Sequence, residues 1–232
     1  MKAVGVSKSL ELINYELQTD GYSVLYPNDH FFSEYVSIKK RFSKELKADL
    51  STPYKVRIFK EKDIKSPNNQ DLLAYNNFCL KLIKILSYGL VQFSAIYTTY
   101  DNKESEHIAQ KPHFDRIPTL KFMLYLNDLK FENGAFCLSP GSHHWTKEKF
   151  QINRKNFYDK NFFNETRNIP NPIIDRLTPI EGKLGTIIIF NTDCIHHQGI
   201  VKSGEACIVR SHYSREAFNK KFRIKNYLKK FF

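Results

Sequence analysis

The chain contains few cysteines, and their spacing excludes a common kind of metal site. Its 232 residues include four cysteines, and none of them are paired in the Cys-x-x-Cys spacing of structural zinc clusters. Cys79 falls on the apolar face of a predicted helix, and Cys137 falls in a predicted strand. We therefore expect these two thiols to be small, buried hydrophobic groups.

Long apolar runs are also missing. No stretch approaches the roughly 20 apolar residues of a membrane-spanning helix, and residues 1–8 contain no apolar run like that of a secretory signal. Internal repeats and low-complexity linkers are absent, whereas hydrophobic residues make up 41% of the chain and aromatic residues 14%. These features predict a single domain spanning residues 1–232, able to bury a dry site, and a cytoplasmic location.

Acidic residues are too few to balance the basic ones. The 36 lysines and arginines outnumber the 24 acids, which gives a formal net charge of +12. This charge permits nucleic acid, an anionic lipid surface or an acidic small substrate as a partner, and it also fits a solvated basic surface. Because the chain has no RNP-like, zinc-finger or helix-turn-helix motif, we do not expect nucleic acid to be the partner.

Part of this charge is concentrated in a C-terminal tail, residues 216–232. The tail carries six lysines and arginines against one acid, interleaved with aromatic and aliphatic residues. Such a segment can lie in an anionic membrane interface, which would place the protein peripherally at the membrane and suit an anionic or lipid-linked substrate. The alternative is a terminal helix that packs its apolar side on the domain or on a second subunit.

The hydrophobic period changes near residue 91. Before residue 91, three segments have helical periodicity. The first begins near Leu10, the second follows a cap at Asn28 or Asp29, and the third begins near Leu72. A short strand is predicted at residues 22–26. From residue 91 onward apolar and polar residues alternate. We predict helices in residues 1–90 that buttress a barrel in residues 91–215. An insert at about 145–180 has the length of a lid or binding loop.

Two histidine-containing segments carry the strongest chemical signal. His113 and Asp115 stand two residues apart on an extended segment, so both side chains point to the same face. A histidine from residues 194–199 can complete the set. Two imidazoles and one carboxylate leave three adjacent positions of an octahedral ion open, which suits a non-haem Fe(II) that binds a cosubstrate and dioxygen together.

Five segments, in order along the chain, resemble the phytanoyl-CoA dioxygenase-like family of Fe(II)/2-oxoglutarate oxygenases. They are residues 20–25, 113–115, 133–135, 140–143 and 185–196, with the last segment followed by Arg210. The resemblance implies an α+β, β-rich fold, namely a double-stranded β-helix or cupin-like jelly-roll barrel buttressed by N-terminal helices. It also implies Fe(II) as the metal, 2-oxoglutarate as cosubstrate, and O2.

The third metal ligand is His196 or His197. On a strand these two side chains face opposite ways, so only one can reach the metal. In the family the ligand usually falls six residues after the phenylalanine that closes the preceding strand, here Phe190, and this selects His196. The family's His-x-Gly form is met instead by His197 and Gly199. We predict that His196 completes the ligand set.

The distal carboxylate of 2-oxoglutarate requires a cation, and arginine binds it with two hydrogen bonds. Arg210 is the only cation in range on its face of the last predicted strand. Many family members carry this arginine at the place of Ala206, so Arg210 departs from the family pattern. Thr119 and Lys121, on the polar face of an earlier strand, are predicted as further contacts to the cosubstrate.

The resemblance implies a dioxygenase that hydroxylates an unactivated C–H bond of a small-molecule or lipid-linked substrate and releases succinate and carbon dioxide. Halogenating relatives lack the carboxylate ligand, so Asp115 favours hydroxylation, desaturation or ring formation. Two alternatives stay open at this point. One is a cupin-like metal-binding protein without oxygenase activity, and the other is an oxygenase that acts on nucleic acid.

Overall fold

Two antiparallel β-sheets form the centre of the fold in a computed structural model of the chain. The structure describes residues 6–30, 32–47, 54–86, 91–115, 119–150 and 168–215. The basic tail at residues 216–232 and residues 151–167 of the predicted insert lie outside the described residues. The division of the chain into a buttress, a barrel and a tail therefore stays a prediction.

The helices of the described residues lie mainly in the first third of the chain. They are α1 (Leu10–Thr19), α2 (Tyr35–Lys47), α3 (Glu61–Ile64), α4 (Gln70–Ile85), α5 (Ser142–Phe150) and a one-turn helix at Asn171–Ile174. None of these helices has both the length and the apolar composition needed to cross a membrane.

The strands form a larger and a smaller sheet. They are β1 (Tyr22–Leu25), β2 (Tyr54–Phe59), β3 (Val91–Asn102), β4 (Thr119–Tyr125), β5 (Cys137–Leu138), β6 (Thr178–Pro179), β7 (Ile187–Asn191), β8 (His196–His197) and β9 (Glu205–Arg215). The larger sheet has six strands in the order β1-β7-β4-β9-β3-β2, and the smaller has three in the order β6-β5-β8. Every pairing between neighbouring strands is antiparallel.

Among the described residues, the larger sheet is covered on both faces except at its β2 edge. Its outer face packs against α1, α2 and α4 in one hydrophobic cluster, to which Phe122 and Val209 belong. Its inner face packs against the smaller sheet in a second cluster, to which Ile188 and Ile208 belong. This arrangement confirms the predicted β-rich jelly-roll class with N-terminal helices as a buttress. The described strands form two facing sheets rather than a closed barrel, because the smaller sheet has only three strands.

The first and last of the three predicted N-terminal helices are confirmed. In α1, Ile13 and Leu17 are buried, and the Ser9 hydroxyl caps the first turn by accepting a hydrogen bond from the Leu12 amide. The helix ends before Gly21, whose φ of 81° is readily adopted only by a residue without a β-carbon. The third predicted helix corresponds to α4, in which the apolar residues, including Cys79, are buried.

The start of the second helix was predicted wrongly. Asn28 and Asp29 lie in a 3-10 turn, where the Asp29 carboxylate accepts a hydrogen bond from the Tyr26 amide instead of capping α2. The helix α2 begins only at Tyr35, and in it Ile38 and Phe42 are buried whereas Val36 is 56% exposed.

Strand β2 was not predicted. It pairs with β3 at the edge of the larger sheet, in the register Ile58 opposite Tyr97. The alternation of Tyr54, Val56 and Ile58 with basic residues was a usable signal for a strand. Residues 140–144 form a turn and the start of α5.

Gly199 is required by a close backbone approach. A β-carbon at this position would lie 2.2 Å from the carbonyl oxygen of Ala135 and 2.6 Å from the carbonyl carbon of Gly134. Because both obstacles are backbone atoms, they cannot move aside as a side chain could. We expect Gly199→Ala to lower the free energy of unfolding by about 3 kcal/mol, measured by urea denaturation.

Gly204→Ala is the matched control for this substitution. Gly204 has a φ of 74°, but its added β-carbon would meet only the Asn133 side chain at an ordinary 3.7 Å. The expected cost is therefore the conformational penalty alone, about 1 kcal/mol. Equal losses in the two variants would contradict the proposed clash at Gly199.

Candidate metal centre

The inner face of the larger sheet carries polar groups near one end. On β4, Phe122 belongs to the outer cluster and Met123 to the inner one, so the alternation places Lys121 on the inner face. On β9, Ile208 belongs to the inner cluster, which places Arg210 and His212 on the same face. Because His212 stands directly opposite Lys121 in the register, these side chains are close neighbours.

A backbone bridge joins the two histidine segments. The amide of His113 donates to the carbonyl of His196 at 3.0 Å, and the amide of His196 donates to the carbonyl of His113 at 2.8 Å. The amide of Asp115 donates to the carbonyl of Thr192 at 3.0 Å. These three hydrogen bonds hold the two segments side by side, so residues that are distant in the sequence are neighbours in the fold.

The three predicted metal ligands converge. One potential ligand atom from each of His113, Asp115 and His196 lies within 4.8 Å of the other two. In each imidazole Nδ1 lies 2.7 Å from a backbone carbonyl oxygen, that of Lys111 for His113 and that of Cys194 for His196. Since a carbonyl can only accept, Nδ1 carries the proton in both rings, and Nε2 retains the lone pair that a metal needs.

His197 is placed differently from its neighbour. It is half-buried, its Nδ1 donates to the carbonyl of Gln198 at 2.8 Å, and it is not part of the metal-binding group found among the described residues. His196 is buried, and its ring packs 5.0 Å from the ring of Phe190. Of the two candidates, the structure brings His196 to His113 and Asp115.

The charges around the centre suit a cation ligated by neutral histidines. Burial, followed by the nearby His113, holds the pKa of His196 well below its ordinary value, so this imidazole is neutral near pH 7. Burial alone would raise the pKa of Asp115. The ammonium of Lys121, at 2.6 Å, and then His196 outweigh that effect, so the pKa of Asp115 lies well below its ordinary value and the carboxylate is ionised.

Arg210 has an incompletely satisfied guanidinium. One Nη donates to the Oε1 of Gln198, which is itself buried. The Nε of Arg210 is buried and has no hydrogen-bond partner among the described residues. A buried donor without an acceptor is costly, so this nitrogen is suited to a ligand oxygen.

His212, which was not predicted as a site residue, packs against Tyr97. Their rings meet edge to face with centroids 4.8 Å apart, and Tyr97 stands opposite Arg210 in the register. Burial, followed by the charge of Lys121, holds the pKa of His212 well below its ordinary value. The period-two alternation of β9 places His212 beside Arg210, so the signal was available in the sequence.

The two further residues predicted to contact the cosubstrate have protein partners. The Thr119 hydroxyl lies 3.3 Å from the hydroxyl of Thr192, and the Lys121 ammonium forms an ion pair with Asp115. Their contact with the cosubstrate stays a prediction.

Two facing antiparallel sheets with two histidines and one carboxylate converging between them are typical of non-haem metal oxygenases. A family model described as phytanoyl-CoA dioxygenase matches residues 18–206 of the 232. The chain belongs to this family, and it is therefore an enzyme of a class that uses Fe(II), 2-oxoglutarate and O2. No curated protein sequence matches the chain with significance.

Several solved structures share the fold. The non-heme alpha ketoglutarate dependent epimerase SnoN from nogalamycin biosynthesis has a TM-score of 0.64 at 14% identity, covering 89% of this chain and 83% of its own. EvdMO1 has a TM-score of 0.62 at 16% identity. The match covers 89% of this chain and 50% of EvdMO1, so the chain spans half of that protein. HygX from Streptomyces hygroscopicus, solved with nickel and 2-oxoglutarate, has a TM-score of 0.59 at 17% identity, and the match covers 88% of this chain and 87% of HygX.

The adjacent histidines allow a paired test of the third ligand. We expect His196→Ala to lose bound Fe(II), because it removes an Nε2 that lies within 4.8 Å of the other ligand atoms. His197→Ala should keep stoichiometric Fe(II). Iron content after anaerobic loading and desalting measures both. Loss of iron in the His197 variant alone would reverse the assignment.

Proposed function

We propose that this protein is an Fe(II)/2-oxoglutarate-dependent dioxygenase that hydroxylates an unactivated C–H bond of a small-molecule substrate. One observation carries the proposal. The ligand atoms of His113, Asp115 and His196 meet within 4.8 Å on the inner face of the jelly roll, and the same face presents a buried arginine nitrogen that has no partner among the described residues. A metal and a dianionic cosubstrate would satisfy both features.

The three converging residues fit an Fe(II) ion. Their donor set is two neutral imidazoles and one ionised carboxylate, and each imidazole is oriented by a backbone carbonyl. Such a set occupies one face of an octahedron and leaves positions for a chelating cosubstrate and dioxygen. In this proposal His113, Asp115 and His196 hold the metal, and no other side chain is required as a ligand.

Arg210 would hold the distal carboxylate of 2-oxoglutarate. Its Nη is already fixed by Gln198, so the guanidinium is oriented before the ligand arrives. Its free Nε can donate to the carboxylate, and the buried setting strengthens that hydrogen bond. Thr119 remains a proposed contact near the other end of the cosubstrate, whereas the Lys121 ammonium is engaged by Asp115.

The protein would orient the metal ligands and exclude water from the metal site. When bound, Fe(II), 2-oxoglutarate and dioxygen would supply the oxidising chemistry, with one oxygen atom going to the product, the other to succinate, and carbon dioxide released. Phe190 and Phe136 lie beside His196, with ring centroids 5.0 and 5.6 Å from the imidazole, and they exclude water from that side. The carboxylate of Asp115 stays ionised because Lys121 is adjacent, so it needs no deprotonation to bind a cation.

The edge of the larger sheet offers a surface for substrate. Val56 and Ile58 on β2 stand opposite Thr99 and Tyr97, and directly opposed residues point to the same face. They are 43% and 55% exposed although they are apolar. This apolar edge supports a substrate with an apolar part. The structures of SnoN with nogalamycin RO and of HygX with hygromycin B also support a small molecule as substrate.

Anaerobic binding tests the cofactor assignment. We expect Fe(II) plus 2-oxoglutarate to give a weak visible charge-transfer band in the wild-type protein. We expect Asp115→Ala to remove turnover and His113→Ala to remove the iron. Tight zinc binding without this band under any loading condition would favour a metal-binding protein without oxygenase activity.

Hydroxylation is tested on the product. A metabolite screen for substrate-coupled succinate release identifies the substrate, and the reaction is then run under 18O2. We expect one labelled oxygen atom in the product and one in succinate. An unlabelled, isomeric product would indicate epimerisation instead, and an unlabelled product that has lost two hydrogens would indicate desaturation or ring formation.

Substitution of Arg210 tests the cosubstrate anchor. Removing one member of a buried charge pair costs on the order of 3–5 kcal/mol, so Arg210→Ala should raise the 2-oxoglutarate Kd about 100-fold or more. The charge-transfer band, titrated at saturating Fe(II), gives this Kd. Arg41→Ala is the control, because Arg41 pairs with Asp71 between α2 and α4. An unchanged Kd in the Arg210 variant would place the anchor elsewhere.

A further inference from the structure

The two oxygens of Asp115 have different neighbours. Oδ2 lies 2.6 Å from the ammonium of Lys121, whereas Oδ1 lies 3.8 Å from the Nε2 of His196. One oxygen is therefore engaged by a cation of the protein. The other oxygen, Oδ1, faces His196, with which it would bind the same metal ion.

Lys121 is held in this position by its surroundings. It lies within β4, between β7 and β9, and is only 9% exposed. Its ammonium lies 5.9 Å from the ring centroid of Phe190, the same ring that packs on His196. A lysine confined in this way loses little further freedom on pairing, unlike a surface lysine in a solvated ion pair.

We propose that Lys121 is a positioning residue, which holds Asp115 through Oδ2 so that only Oδ1 is offered to the metal. This inference rests on the proposed function. Two histidines, one carboxylate oxygen and the two oxygens of 2-oxoglutarate leave one position of an octahedron for dioxygen. A carboxylate that bound through both oxygens would take that position, and the pairing with Lys121 prevents this.

This role differs from that of a cosubstrate contact. A lysine that only binds 2-oxoglutarate would affect the cosubstrate Kd and leave Fe(II) binding unchanged. A lysine that orients a metal ligand affects Fe(II) binding even in the absence of cosubstrate. Partners that orient metal ligands typically contribute about 10- to 100-fold to metal affinity.

Lys121→Met tests the inference, because it keeps most of the length of the side chain and removes its charge. We expect the Fe(II) Kd, measured without 2-oxoglutarate by competition with a chromophoric chelator, to rise about 10- to 100-fold. At saturating Fe(II), the 2-oxoglutarate Kd should change less than about threefold.

Two further variants keep the test decisive. Lys121→Arg retains a cationic donor and should restore Fe(II) affinity to within about threefold of the wild type. Lys121→Gln should show the loss even if the methionine variant fails to fold. Lys8→Met is the matched control, because Lys8 forms an ion pair with Glu16 at 2.7 Å with similar exposure, 15% and 24% against 11% and 24% for Lys121 and Asp115. It should leave Fe(II) binding unchanged.

Unchanged Fe(II) affinity in both the methionine and the glutamine variant would overturn the inference. If their 2-oxoglutarate Kd rose instead, Lys121 would be a cosubstrate anchor. Failure of the proposed function looks different, because the wild-type protein would then bind Fe(II) without forming the 2-oxoglutarate band. The comparison of Fe(II) affinities is valid in either case.

Discussion

The candidate site depends on the pair of backbone hydrogen bonds between His113 and His196. Buried amides and carbonyls must find partners, and here each segment satisfies the other. The same pairing that removes these polar groups from water places two imidazoles with ring centroids 4.5 Å apart. A metal centre built in this way is positioned by the backbone of the jelly roll, and its side chains need only small adjustments to bind an ion.

Charge is the second constraint on the site. The inner face gathers Lys121, Arg210 and the carboxylate of Asp115 into a region of low exposure, where unpaired charges are costly. Lys121 is paired with Asp115, whereas Arg210 donates to the neutral side chain of Gln198. The protein therefore carries an excess of positive charge before ligands bind. A dianionic cosubstrate would relieve that excess, which supports the proposal that its carboxylate binds at Arg210.

Much of this arrangement could be predicted from the sequence, because it depends on alternation. Because successive side chains of a strand point to opposite faces, the sequence predicted that Arg210 lies on the inner face and that His196 and His197 point in opposite directions. What the sequence could not supply was long-range pairing. Nothing local to Asp115 indicates that the lysine six residues later folds back to 2.6 Å, because this contact requires β4 to lie between β7 and β9. The start of α2 was missed because Asp29 has a local partner that the pattern does not reveal.

The open form of the jelly roll has a consequence for substrate. In the described residues, the inner cluster takes its residues of the larger sheet from β1, β4, β7 and β9. Strands β2 and β3 continue the same face beyond the smaller sheet, and there Ile58 is exposed while Tyr97 still contacts His212. The inner face thus passes from a packed end to an apolar edge that is exposed among the described residues. A substrate resting on this edge would approach His113, Asp115 and His196 from the side of β2 and β3.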